Sequence, residues 1–327
     1  MIPCKNDPLE NPDAACRVCG CLSPSRQFAV KKPASRAGIF YYCHSCQSWS
    51  FYPKKHFDSY DADYYGAGNS RVGGIAQCIR KFSANLRARF ATSIAGSGEC
   101  LDIGCGDGEF LKAMVAHGWS VKGTELPGPA FERANKKLPG QILGTAKFET
   151  TFLPSSYNLI TMWQVFEHLE NPRQVLGSCA SLLIPGGFLA VGVPNPFSWQ
   201  ALWGKGDWLH FDPPRHLHLE SLQTLLREAE NLGFSCVTIR HPWVEFGPIG
   251  WIQTAMNKFG FPRDLFLEKM KDRWSSTSIL SQILWILVAA ALVLPAFFLS
   301  ITESLNKQSA TYEVYFQLGR TQGDPHP

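Results

Sequence analysis

Four cysteines and three glycines carry chemistry in their spacing. Cys16-x-x-Cys19 is followed, after 23 intervening residues, by Cys43-x-x-Cys46. Two such knuckles bring four thiolates together, the donor set of a tetrahedral zinc site. Four protein ligands leave no open position, so the expected role is structural. Gly20 suits a tight turn behind the first pair. Cys4 and Cys21 read as bystanders.

The glycines lie in LDIGCGDGEF, residues 101–110, where a strand-like run meets Gly104, Gly106 and Gly108. A dinucleotide fingerprint puts its last glycine five positions after the first. Here that position is Glu109. A carboxylate there would face a pyrophosphate at a helix N-terminus, which is unfavourable. A ligand with a carboxylate, an ammonium and a sulfonium but no phosphate fits better, and S-adenosylmethionine (SAM) has these groups. Its amino-acid end can sit on glycine amides, which approach closely because no side chain intervenes. Asp102 can balance its positive charge.

The elements that must position these residues alternate. IAQCIRKFSANLRARFATSIA reads as an amphipathic lead-in helix, ECLDIG as a strand and GEFLKAMVAHGW as a helix ending at Gly118. SVKGTEL and PAFERANKKL repeat the unit. YNLITMWQV reads as a buried strand, NPRQVLGSCASLL as a helix and GGFLAVGVPNP as a strand. LESLQTLLREAENLG, FSCVTIRH and TYEVYFQLG follow as helix, strand and strand. This order predicts an α/β fold with a parallel sheet, helices on both faces and ligands at the carboxyl ends of the strands. IFYY before the second knuckle reads as a ribbon strand. The tyrosines of YDADYYGAG, residues 60–68, are expected to cover a neighbouring pocket or pack the ribbon onto the main domain.

The chain has 327 residues, eleven cysteines and a net charge of +4. Residues 1–99 hold 13 Lys and Arg against 7 Asp and Glu. That mild excess is far from a nucleic-acid tail. MIPCKNDPLE has no apolar core, so no signal peptide is expected. An odd cysteine number without an export signal points to free thiols in a reducing compartment.

Residues 99–240 resemble a class I SAM-dependent methyltransferase. LDIGCGDG resembles that family's glycine loop, and VKGTE its second strand. WQVFEHLENP, LLIPGGFLAVGVPNP and DPPRHLHLESL resemble a bacterial subfamily of ubiquinone O-methyltransferases and glycan-cluster enzymes. An N-terminal zinc ribbon on this domain resembles some sugar methyltransferases. The resemblance implies a Rossmann-like seven-stranded sheet whose last strand returns between earlier ones. It implies cofactor contacts from Asp102, Gly104, Cys105, Gly106, Gly108, Glu125, Leu126 and Gln164. Glu125 would hold the ribose, since a carboxylate accepts from both hydroxyls. Two positions depart from the pattern. Thr145 or Glu149 stands where an acid often meets adenine, and Asn158 replaces the aspartate opening the fourth strand.

Methyl transfer from a sulfonium is an in-line displacement, so the protein mainly positions and desolvates. A hydroxyl acceptor benefits from a general base. His168, beside Glu167 just past the fourth strand, is the first candidate because histidine titrates near neutrality; its alternative role is to brace the loop. His216 and His218 form a second pair, as base, pocket lining or, with Asp212, metal ligands. Arg215 can hold an acceptor anion or pair with Asp212 or Glu220.

Residues 279–301, ILSQILWILVAAALVLPAFFLSI, carry no charge. As a helix they would span roughly 34 Å, enough for a bilayer. EKMKDR precedes them as a basic flank, and Trp274 and Trp285 are interface candidates. The returning strand excludes a simple span. The remaining expectations are a re-entrant hairpin bent near Pro295, or helices docked on the protein or on a second subunit.

The expected organisation is a zinc ribbon (1–58), a linker and lead-in helix (59–98), a SAM-binding core (99–240), a hydrophobic acceptor-site insertion with membrane association (241–310), and a last strand with tail (311–327). The expected function is O-methylation of a saccharide or lipid-linked glycan at the cytoplasmic face of a bacterial membrane. The alternatives are a quinone or lipid small-molecule acceptor, an RNA acceptor gripped by the ribbon, and a non-catalytic scaffold.

Overall fold

The computed structural model describes residues 15–21, 26–30, 38–53, 71–262 and 279–319. Cys4, the tyrosine run 60–68, the basic flank 268–273 and Trp274 lie outside them.

The N-terminal part is a three-stranded antiparallel meander: β1 (Arg26–Val30), β2 (Gly38–Cys43) and β3 (Ser48–Pro53). The second cysteine knuckle is the turn between β2 and β3, so Cys43 pairs with Ser48 across it. The lead-in helix α1 (Arg71–Ala95) follows.

The main sheet then builds from β4 (Glu99–Ile103), α2 (Glu109–Ala116), β5 (Ser120–Glu125), α3 (Pro129–Lys137) and β6 (Ile142–Gly144). It continues through α4 (Phe148–Thr151), β7 (Tyr157–Trp163), α5 (Pro172–Leu182) and β8 (Leu183–Pro194). Next come α6 (Trp199–Gly204), the two-residue strand β9 (His218–Leu219), α7 (Leu222–Glu230) and β10 (Phe234–Arg240). The chain ends with α8 (Gly247–Lys258), α9 (Ile279–Leu305) and β11 (Thr311–Leu318).

The seven strands run in the order β10-β11-β8-β7-β4-β5-β6. Strands β8, β7, β4, β5 and β6 are parallel, and β11 is antiparallel to both β8 and β10. The last strand therefore returns between earlier ones, as the resemblance implies. Two apolar cores fill the two faces. Leu101, Ile160, Leu189 and Phe316 lie on the face covered by α5 and α7, and Cys100, Leu111, Leu159 and Tyr315 on the face covered by α1 and α2. Asn158, at the opening of β7, accepts the Glu99 amide through Oδ1 at 2.9 Å and so sets the start of β4.

The expected hairpin at Pro295 is corrected. The helix α9 runs unbroken through that proline for 27 residues. Proline removes one helical hydrogen bond and tends to kink the chain. Packing of Ala289, Leu292, Ala296 and Leu299 against Trp251, Ile252 and Met256 of α8 holds both halves in line. The segment is thus a helix docked on the protein, the second of the two expectations. Its C-terminal end is clamped by buried Glu303, which accepts the Gln200 amide at 2.9 Å and Trp251 Nε1 at 2.9 Å.

Candidate active site

At the carboxyl end of β4 the chain makes three left-handed turns, at Gly104 (φ 69°), Gly106 (57°) and Gly108 (76°). This region is open to glycine without strain. A Cβ on Gly104 would sit 2.5 Å from Val165 Cγ2, so the glycine loop lies directly on the segment after β7. Asp102 is buried beneath the loop and accepts Thr161 Oγ1 at 2.7 Å. Burial pushes its carboxyl up to about 7. Glu125, at the carboxyl end of β5, accepts the Gly106 amide at 2.7 Å and the Leu126 amide at 3.1 Å. Cys105 is buried, and its amide bonds the Thr124 carbonyl at 2.8 Å. Glu109 opens α2 and pairs with Lys137 Nζ at 2.8 Å.

These groups suit the cofactor expected from the sequence. Each Glu125 oxygen keeps a second lone pair for a ribose hydroxyl. Gln164 has φ 57°, rare for a side-chain-bearing residue, and its Nε2 is buried without a protein partner. Thr145 Oγ1 accepts the Lys147 amide of its own turn at 2.9 Å, and Glu149 is exposed on α4, so neither is held toward the loop.

Past β7, a short turn Phe166–His168 places Glu167 and His168 next to His216. One ligand atom from each of the three lies within 4.8 Å of the others. His168 Nδ1 meets the Arg215 carbonyl at 2.9 Å, and His216 Nδ1 meets the His210 carbonyl at 2.8 Å. The rings of His168 and His216 touch edge to face at 4.8 Å, and His210 stacks on His216 at 6.0 Å. Both Glu167 oxygens are buried without a hydrogen-bond partner, and burial pushes the carboxyl up to about 8. Burial lowers His168 and His216, keeping both rings neutral near pH 7. Near pH 7 the cluster offers a largely protonated carboxyl and two neutral imidazoles that can take a proton, and with the carboxyl ionised the three could hold a divalent cation.

The structure parts the pair His216 and His218. His218 sits in β9, where Nε2 meets the Leu169 carbonyl at 3.1 Å and Nδ1 lies 3.5 Å from Glu220 Oε1. It packs on Phe166 and belongs to the protein interior. Arg215 pairs with Asp212, the structural option named for it from sequence. The four cysteines converge, with Cys16 to Cys46 at 3.5 Å and Cys19 to Cys43 at 3.6 Å. A tetrahedron with about 2.3 Å zinc–sulfur bonds has edges of about 3.8 Å, so the quartet fits that ion. Cys21 stays outside it, accepting a long contact from Ser45 Oγ at 3.5 Å.

A family model described as "Methyltransferase domain" matches residues 76–239, half of the chain. The chain belongs to the methyltransferase-domain family. The matched stretch of this methyltransferase-domain chain includes every loop described above except the ribbon. Among curated relatives, a "Ubiquinone biosynthesis O-methyltransferase" of Photobacterium profundum is 30% identical over 120 residues, covering 34% of this chain and 51% of that protein. The protein of the same name from Dechloromonas aromatica is 33% identical over 117 residues, 33% of this chain and 50% of that one. The chain thus spans about half the length of the curated relatives it matches. A solved SAM-dependent methyltransferase from Archaeoglobus fulgidus overlays with a TM-score of 0.47 at 17% identity, covering 76% of this chain and all of that one.

Two members of the site were missed as candidates from sequence. Glu167 entered only as the neighbour of His168, in a pair whose alternative role was to brace the loop, and His210 carried no motif. An acid next to a histidine just past a strand, and a histidine six residues before His216, are the signals that could have found them.

Proposed function

We propose that the chain transfers the sulfonium methyl of SAM to a hydroxyl of a lipid-soluble, quinone-class acceptor. The observation that carries this reading is the union of Glu167 and His168, on the loop against which the glycine turn rests, with His216 of the loop before β9 in one cluster. Bound SAM would supply an activated methyl group. The chain's own part is to orient and dehydrate. Gly104, Gly106, Gly108 and Leu126 shape the loop, Asp102 offers a counter-charge, and Glu125 and Gln164 offer ribose and side contacts. His168 or His216, neutral by burial, accepts the acceptor's hydroxyl proton. In this reading residues 99–240 hold the cofactor and 241–310 shape the acceptor side.

The names of the reported relatives favour a quinone-class acceptor over the saccharide expected from sequence. The exposed apolar stripe on α9, with Leu287, Leu294, Phe298 and Leu305 all more than half exposed, supports a lipid-soluble acceptor and a chain lying on a cytoplasmic lipid surface. The buried Glu303 clamp favours a helix resting on lipid over one crossing it. The modest charge disfavours RNA.

The test uses SAM with a labelled methyl group and separate lipid, soluble-sugar and RNA fractions. Label in the lipid fraction, lost in a Gly106→Arg variant, is the expected result. Label in sugar or RNA would replace the acceptor assignment, and failure to bind SAM would remove the enzyme reading.

A further inference from the structure

The four-cysteine ribbon shares its sheet with the main domain. The order is β1-β2-β3-β9, and β9 belongs to the loop that carries His216. A two-residue strand has no stability alone, so β9 exists because β3 offers it an edge. Trp49 faces Leu219 and Ser50 faces His218. The Phe51 amide donates to the Leu217 carbonyl at 2.8 Å, and the Leu217 amide donates to the Glu167 carbonyl at 2.8 Å. A continuous backbone path therefore runs from the ribbon to the candidate proton acceptors.

A second path starts at a metal-knuckle residue. The Cys46 carbonyl accepts hydroxyls from Thr224 and, at 3.5 Å, from Ser221, both at the N-terminus of α7. Side chains close the interface: Phe40 and Phe51 of the ribbon are fully buried with Trp208, Phe211 and Leu219 of the main domain. Among the described residues, the Phe40 and Phe51 side of the ribbon is thus covered within the chain. The first knuckle also grips β3, with the Arg17 amide on Ser50 Oγ at 3.1 Å and Arg17 Nε on the Phe51 carbonyl at 3.0 Å.

We propose that the ribbon is the positioning element of the acceptor side, its metal-closed knuckle holding β3 in the register that pins Leu217, His216 and Glu167. A one-residue slip of β3 would turn every side chain on it to the other face and break both paths. Cys43 and Cys46 flank the turn that sets this register, which gives a structural zinc ion at this place a direct mechanical consequence. What the acceptor side does rests on the transferase reading above; the positioning itself does not.

The test is hydrogen exchange on the full chain, with and without removal of the metal by a chelator, alongside SAM calorimetry. Removal is expected to speed exchange at Leu217 and Leu219 by roughly tenfold or more while SAM affinity changes little. Thr224→Val leaves the cysteines intact and removes the hydroxyl on the Cys46 carbonyl. It should raise exchange at Leu217 and lower kcat with a short-chain hydroquinone while KM is less affected, and Thr224→Ser should restore both. Unchanged protection at residues 217–219 after metal removal overturns the proposal. If metal removal also abolishes SAM binding, the whole chain has unfolded and Thr224→Val decides: unchanged exchange at Leu217 then overturns it. Lack of SAM binding in untreated protein would sink the transferase reading alone, since the exchange comparison needs no substrate.

Discussion

Gly104 and Val165 touch across the gap between two loops: a methyl group on Gly104 would stand 2.5 Å from Val165 Cγ2. The contact joins the cofactor-side turn to the loop that carries Glu167 and His168. Gly104 also has φ 69°, where any side chain is strained. Gly104→Ala is therefore expected to weaken SAM binding at least tenfold while far-ultraviolet circular dichroism stays native. Unchanged affinity in calorimetry would show that the contact gives way freely.

Asp102 links cofactor binding to pH. Its carboxyl is held at about 7 in the fold, above its ordinary 3.8. The buried acid therefore contributes stability at pH below about 4 that is lost as pH rises through 7. A cationic ligand favours the ionised form, so binding below pH 7 must expel a proton. SAM affinity should rise with pH, by up to about tenfold per unit, and level off above 7. Calorimetry from pH 5 to 8 checks this, and Asp102→Asn should flatten the profile.

The parting of the histidines gives a kinetic prediction. His168→Ala and His216→Ala should each lower kcat by about a hundredfold, the usual range for loss of a general base, with SAM affinity nearly unchanged. His218→Ala should act mainly on stability, because that ring is an interior partner of Leu169 and Phe166. Equal kcat losses in all three variants would contradict the assignment.

Arg87 is a stability residue. It is buried between Glu313 at 2.7 Å and Glu245 at 2.8 Å, over the Trp163 ring. Among the described residues, Arg87→Met leaves Glu313 paired with the half-buried Arg240 at 2.9 Å. Breaking such a pair should cost about 3 kcal/mol, read as a lower denaturant midpoint at unchanged slope.

The α9 stripe predicts lipid binding. Leu294 and Phe298 are among its most exposed side chains. Burying each would contribute about 2 kcal/mol, so Leu294→Ser with Phe298→Ser should cut co-sedimentation with mixed phospholipid vesicles by tenfold or more. Equal sedimentation of the variant and the parent would place the stripe against protein.

Spacing alone made the cysteine quartet, the glycine turn and the alternating elements legible. Each is a local pattern: two residues between ligands, φ reserved for glycine, and apolar residues recurring with the period of a helix or a strand. The acid at the end of β5 was legible through the resemblance of VKGTE to the family's second strand. Other features depend on pairings between distant segments. Trp49 meets Leu219, and Leu217 meets Glu167, across loops with no periodicity to announce them. The direction of the His216 and His218 rings followed from that pairing, as did the union of Glu167 with His216. Pro295 is a helix breaker by sequence, yet α9 stays whole because α8 packs along both sides of it. Local chemistry thus determined which residues stand as candidates. Packing between remote elements decided which of them meet, because a contact's register is set by both surfaces and neither segment carries the other's.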